Sequence, residues 1–211
     1  MQKCKYHVSL QPVSNWGFPA NTHPILLELG KELNCGPTMF KFLQTNFMEG
    51  KFDIPFVKIA GKEGTYNMKE IVYVDSRIQS MGAELTYKLN SRKADMKMTD
   101  EQYTILHSDS KLDANITTDG FWGSIRDYPQ FDIYQEILKQ RWFGKDINTC
   151  GVHTYDFDNT LLRPVQVQFQ ATESIFNKYF PTEFFYVESL QNPLGAVEAF
   201  LNFTIASPQN C

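Results

Sequence analysis

From Val165 to Gln170 the chain alternates without a break. Val165, Val167 and Phe169 fall on one side, and Gln166, Gln168 and Gln170 on the other. β-branched and aromatic residues at a period of two specify a half-buried strand and exclude a helix. Upstream, Val152, Thr154 and Asp156 would share one strand face, with His153, Tyr155 and Phe157 on the other. Asp158 and Asn159, between the two runs, tolerate the positive φ angles of a tight turn. The pattern predicts an antiparallel hairpin with Asp156 and Asp158 near a solvated tip.

The same residues carry a competing reading. Asp156-x-Asp158-x-Thr160-Leu161 resembles the signature of haloacid-dehalogenase-like phosphatases, in which the first Asp is the nucleophile and the second the acid/base. That chemistry needs a nucleophile at the end of a buried strand with a helix after it. It also needs a lysine and further carboxylates for the phosphoryl group and magnesium. The strand before the motif is mixed rather than continuously apolar, the residues after it alternate, and little chain remains before Cys211. The sequence therefore favours a building block over an aspartyl phosphatase: no catalytic residue, metal or cofactor is expected.

A chain of 211 residues suits one domain, here 1–211, with a loop insertion around 91–122. Its 17 Phe, 10 Tyr and 3 Trp suit a β-rich protein with large contact surfaces, and the net charge of -4 argues against a nucleic-acid-binding face. No apolar run reaches the roughly 20 residues a membrane span needs, and the first residues lack the apolar core of a signal peptide. Synthesis in the cytoplasm is the expectation. Cys4, Cys35, Cys150 and Cys211 show no paired metal spacing, so free thiols are expected.

Along the chain, Tyr6, Val8 and Leu10 predict a short strand, and His7-x-Ser9 resembles half of a two-histidine phosphoesterase motif with no second copy. The stretch 22–36 fits either a helix or a buried strand, and 36–61 is mostly extended. Ile71 to Val74 is a strong strand, Leu85, Tyr87 and Leu89 alternate again, and 90–102 has the charge of an exposed loop. One helix is expected after Asp127 and Pro129, carrying Phe131, Tyr134, Ile137, Leu138, Arg141 and Trp142 to a stop at Gly144. Val197, Ala199, Leu201, Phe203 and Ile205 make a final strand. The fold class is mainly β (α+β), an antiparallel barrel or sandwich with one packed helix.

Three stretches carry a resemblance to the tail tube and baseplate tube proteins of contractile-tailed bacteriophages, a family related to the type VI secretion tube. They are 58–76, the helix 131–143, and 155–205 with its Phe180-Pro181-Thr182 turn. The region 91–122 and the first forty residues depart from the family pattern. The resemblance implies a structural virion protein, not an enzyme, in the phage tail. Its six-fold rings would stack into a tube that conducts DNA without binding it, and would meet sheath and baseplate proteins. It also implies that the inter-strand loop with Phe47, Met48, Phe52 and Ile54 reaches a neighbouring subunit.

Overall fold

The computed structural model describes residues 8–36, 42, 44–108, 110–172, 184–189 and 195–211. Over these residues the alternating stretches become strands: β1 (Val8–Leu10), β2 (Leu26–Cys35), β3 (Thr45–Ile59) and β4 (Tyr66–Val74). Helix α1 (Arg77–Tyr87) comes next, and then β5 (Ser91–Lys93), β6 (Asp95–Met98), β7 (Gln102–His107), β8 (Ser110–Thr118) and β9 (Gly123–Ser124). After α2 (Asp132–Leu138) come β10 (Arg141–Phe143), β11 (Thr149–Gly151), β12 (His153–Thr172), β13 (Phe184–Val187), β14 (Ala196–Ile205) and β15 (Gln209–Asn210). The protein is mainly β, with two helices among the described residues.

The strands form two sheets. The first runs β1-β3-β4-β10-β11-β15, with β2 paired to β3 and β5 to β4. The second runs β13-β12-β8-β7-β6, with β14 and β9 paired to β12. Most neighbours are antiparallel; β10 and β5 lie parallel to β4. The sheets face each other across one core cluster. Phe52, Ile71 and Tyr73 come from the first sheet, and Tyr103, Ile105, Leu112, Ala114, Val165, Val167 and Phe169 from the second. Ile105, fully buried, contributes roughly 1.5–3 kcal/mol by leaving water. Gly50 lets the sheets approach: a Cβ there would collide with Ile105 Cδ1. A second cluster seats Phe131, Ile133, Ile137 and Leu138, around α2, against Val13, Leu26, Phe56 and Leu162.

β3 is long because its interruption is absorbed. Pro55 has no N–H for the ladder, and the register with β4 shifts between Ile54 and Val57. Phe56 takes up the kink at a positive φ of 55°, an uncommon conformation for a bulky residue. The exposed backbone groups are satisfied elsewhere: Phe56 N–H donates to Gln140 Oε1 at 3.0 Å, and Pro55 O meets His23 Nε2 at 2.6 Å.

Several expectations from sequence are corrected. The predicted hairpin does not reverse: β12 is one strand of 20 residues, and on both sides of the expected turn it pairs with β14. Asp156 to Thr160 is a bulge in that pairing, closed by Asn159 Nδ2 donating to Asp156 Oδ2 at 2.8 Å and Thr160 Oγ1 to Asp156 O at 3.0 Å. Short polar side chains bonding their own backbone suit a bulge as well as a turn. The predicted helix ends at Leu138, and Trp142 lies in β10, parallel to β4. The alternation at 85–89 hides α1, which Ser76 caps by accepting from Gln79 N–H. The undecided stretch 22–36 holds β2. The charged stretch 90–102 holds β5 and β6, and the expected loop insertion 91–122 supplies β5 to β8. Cys150 and Cys211 are joined by a disulfide, with Cα atoms 5.0 Å apart, rather than free; Cys35 is a free thiol. The Phe180-Pro181-Thr182 turn, Cys4, Tyr6 and His7 lie outside the described residues.

Candidate functional site

β3 buries both faces. Phe52 and Gly50 point to the inter-sheet core; Glu49, Lys51 and Asp53, at a period of two, share the opposite face. Pairing brings matching residues alongside. On β2, Glu28 lies opposite Lys51. On β4, a bulge between the Phe52 and Asp53 pairings sets Lys69 opposite Asp53. Asn67 stands two residues before Lys69, and Trp142 of β10 pairs with Asn67. Two lysines and four carboxyl groups thus gather on one sheet face, under His153 and Tyr155 at the start of β12.

The contacts are dense. Lys69 Nζ lies 2.7 Å from Asp53 Oδ2 and 3.5 Å from Glu28 Oε1. Lys51 Nζ lies 3.5 Å from both Glu28 Oε2 and Glu32 Oε1, and is in contact with Glu49 Oε1. Glu28 therefore bridges the two amines. Asn67 Nδ2 donates to Asp53 Oδ2 at 2.8 Å. Lys69 Nζ sits 5.6 Å from the centre of the Trp142 ring, a cation–π distance. Tyr103 OH donates to Glu49 O at 2.9 Å and to Gly30 O at 3.0 Å, tying β2 to β3. Trp142 reaches this position because Gly151 has no side chain: a Cβ there would run into the ring.

Buried charge this dense must share protons. Burial raises Asp53, assisted by Glu28, against the pull of the Lys69 charge, and the result is pushed up to about 7. Burial likewise raises Glu49 well above the usual carboxylate range, with Glu32 beside it adding to the shift and Lys51 opposing it. Glu28 goes the other way: burial opposes its charge, but Lys51 and Lys69 outweigh burial and hold it low. Glu32 is also lowered; there burial is outweighed by the hydrogen bond from Glu49 and the charge of Lys51. Glu32 and Glu49 share one proton, and Asp53 beside Glu28 takes up a second as pH falls through about 7. The cluster then balances its two ammonium groups with two carboxylates. For Lys51, burial alone would favour the free amine, but Glu28, Glu49 and Glu32 outweigh it and hold the ammonium well above the ordinary lysine range.

His153 stays neutral: burial first, then the Lys51 and Lys69 charges, push it down to about 2. A neutral His153 can accept from Tyr155 OH at Nδ1, 3.1 Å away. Its ring packs tilted against Trp142 and edge-on to Phe203, with centroids 5.2 and 5.1 Å away. Among the described residues, three buried polar atoms beside Lys69 have no partner: Asp53 Oδ1, Asn67 Oδ1 and Trp142 Nε1. A protonated Asp53 donating to Glu28 accounts for the first. The other two are an acceptor and a donor free for a bound molecule. Cys35 Sγ donates to Glu32 at 3.2 Å. Burial and the Glu32 charge push this thiol up to about 12, so it is no nucleophile. An open groove of about 490 Å³ lined by Trp16, Phe56, Lys58 and Glu136 shares no residue with the cluster.

The residues singled out from sequence fall elsewhere. Asp156 and Asp158 are exposed on the β12 bulge, and the chain continues directly after them as the rest of that strand. Phe47, Met48, Phe52 and Ile54 lie along β3 and not in a loop. Phe52 and Met48 pack in the inter-sheet core, Phe47 beside Val72 and Val74, and Ile54 beside Val57 and Ile59. The sequence reading missed Glu28, Glu32, Glu49, Lys51, Asp53, Asn67, Lys69 and His153. One signal was present: in Glu49-Gly50-Lys51-Phe52-Asp53 and Asn67-Met68-Lys69 the polar face alternates with large or tightly packed residues, and such a strand is charged on one side and core on the other.

No protein-family model matches the chain, and no curated protein matches it. Among solved structures the fold is similar to an acetoacetate decarboxylase from Legionella pneumophila. The TM-score is 0.52 at 8% identity, over 90% of this chain and 85% of that one. A further likeness, TM-score 0.49 at 8% identity over 79% of this chain and 67% of that one, is to the enduracididine biosynthesis enzyme MppR complexed with pyruvate. At such identity the first likeness establishes the fold alone. It overturns the tail-tube resemblance. The fold is the one an acetoacetate decarboxylase uses, so the structural virion protein and the expectation of no enzyme both fall with the resemblance that carried them. The haloacid-dehalogenase alternative at Asp156 and Asp158 gains no support either. An alternating strand pattern is common to many β folds, and it misled here because it carries no information on which strands pair.

Proposed function

We propose that this chain is an enzyme that activates a small carbonyl compound as an imine, with Lys69 as the amine and Asp53 as its proton acceptor. The observation that carries the reading is the 2.7 Å contact between Lys69 and a carboxyl pushed up to about 7, wholly buried, beside a second ammonium. A desolvated lysine next to another cation is one of the established ways to make a nucleophilic amine. A fold shared with a decarboxylase of an oxo acid agrees with carbonyl chemistry.

Of the two lysines, Lys51 is held by the carboxyl groups of Glu28, Glu32 and Glu49 and serves as the fixed cation. Lys69 has the partner that can take its proton. Transfer from Lys69 to Asp53 leaves a neutral amine against a neutral acid. The nitrogen lone pair attacks the carbonyl carbon, the C=O π electrons move to oxygen, and protons returned through Asp53 let that oxygen leave as water. The iminium so formed withdraws electrons from the neighbouring carbon, where a bond to hydrogen or carbon can then break. Trp142, over Lys69, and Tyr155 and His153 beyond it provide an apolar and aromatic roof that excludes water from the adduct. Asn67 Oδ1 and Trp142 Nε1 are available to the substrate's polar groups.

Sodium cyanoborohydride with acetone tests this. Reduction of the imine should leave one isopropyl group on the protein, and peptide mass spectrometry should place it on Lys69 while the exposed Lys93 and Lys97 stay free. Lys69→Arg should abolish the adduct. Modification confined to exposed lysines, or none at all, refutes the reading.

A further inference from the structure

The cluster is graded in exposure. The side chains of Glu28, Glu32 and Glu49 keep 25%, 12% and 12% of their exposure, against 9% for Lys51, 3% for Lys69 and 0% for Asp53. The outermost groups are thus carboxyl groups, and the amines lie beneath them. Each amine is already matched. Lys51 touches Glu28, Glu32 and Glu49, and Lys69 touches Glu28 and Asp53. The cations that face the site are both committed to side chains of the chain itself.

The remaining unpartnered atoms in the site are neutral. Asn67 Oδ1 and Trp142 Nε1 are one acceptor and one donor, on residues 4% and 3% exposed and adjacent in register beside Lys69. They match a hydroxyl, an amide or a carbonyl oxygen. Neither Asn67 nor Trp142 offers the charge that a carboxylate would need on leaving water. The surroundings add only aromatic and neutral groups: Tyr155, Phe203 and the neutral ring of His153.

We infer that the site selects an uncharged carbonyl compound, a ketone or aldehyde bearing hydroxyl or amide groups, and rejects free oxo acids at its acidic mouth. The inference rests on the imine reading and narrows it. An incoming carboxylate passes Glu28 and Glu32 and meets no uncommitted cation among the described residues of the site, and like charges at a few ångströms with partial screening repel strongly. A neutral carbonyl meets no such barrier. The bond broken after imine formation is then a C–H bond beside the iminium carbon, whose electron pair flows toward nitrogen as an enamine forms. The released proton passes to a carboxylate of the cluster.

Levulinate and its methyl ester test this, because they present the same ketone and differ only in charge. Each is incubated with the protein and sodium cyanoborohydride, and the adduct at Lys69 is followed by mass spectrometry. The ester should label Lys69 at least about tenfold faster, a factor equivalent to one modest like-charge repulsion. Glu32→Gln, which removes one charged group at the mouth, should narrow the ratio of the ester rate to the levulinate rate severalfold. Equal rates for the two compounds, faster labelling by levulinate, or a ratio that Glu32→Gln does not change would overturn the selection by charge while leaving the imine intact. Absence of any Lys69 adduct from either compound would remove the imine reading itself.

Discussion

Replacing Lys69 by Met takes away the amine that Asp53 faces and keeps most of the stem's bulk. Asp53 has no solvent exposure, and Lys69 is its ion-pair partner at 2.7 Å. Removing one member of a buried pair costs about 3–5 kcal/mol if the other must stay charged. Asp53 need not stay charged below neutrality. Burial, net of the Lys69 charge, already raises it from 3.8 to about 7. Between those values the native chain holds a proton that the unfolded chain has lost. This contribution to stability is complete below the unfolded value, declines as pH rises through about 7, and is flat above. In the variant the Lys69 charge no longer lowers Asp53, so the decline continues past 7. The stability gap between wild type and variant should therefore widen above about pH 7, by at most ~1.4 kcal/mol per pH unit. Lysine in the unfolded chain stays protonated across this range and adds nothing to the gap. Urea denaturation at about pH 5.5 and about pH 8.5 should show the gap growing by up to ~2 kcal/mol, with m-values unchanged. A gap constant with pH would mean that Asp53 does not titrate across this range, and the proton-acceptor argument would fail with it.

The rate of reductive trapping at Lys69 should fall about tenfold per pH unit below about 7, as Asp53 becomes protonated and can no longer accept; a flat profile from about pH 5.5 to 7 would count against it. Gly151→Ala should push the Trp142 ring off Lys69, costing about 1–3 kcal/mol and slowing trapping; full trapping with an unchanged melt would refute that close packing. Cys211→Ser opens a loop of 61 residues and should cost about 4 kcal/mol on the chain-entropy account, matched by the wild type in reductant. Asp156→Asn, on the exposed bulge, should change stability by less than about 1 kcal/mol and leave trapping untouched.

Much of the secondary structure was legible in the sequence because period-two alternation is a local property. Val165, Val167 and Phe169 lie buried on β12, and β4 and β14 run where their apolar positions predicted. The elements misread were those where the local signal fits two answers. Leu85, Tyr87 and Leu89 alternate, yet Ser76 starts a helix whose C-cap falls at Lys88, between them. Asp158-Asn159 suits a turn, yet the chain continues as a bulge because β14 supplies a partner on both sides of it. The site was decided by tertiary structure alone. Glu28, Lys51 and Lys69 stand on three strands, and only the pairings of β2 and β4 with β3 set them on one face. In isolation each strand shows a few charges that water would solvate. Burial under His153, Tyr155 and Trp142 withdraws that water, makes the carboxyl groups share protons, and turns an ordinary charged strand face into a reactive one. Sequence records which side chains a strand can present; the energy that perturbs them comes from neighbours distant in the chain.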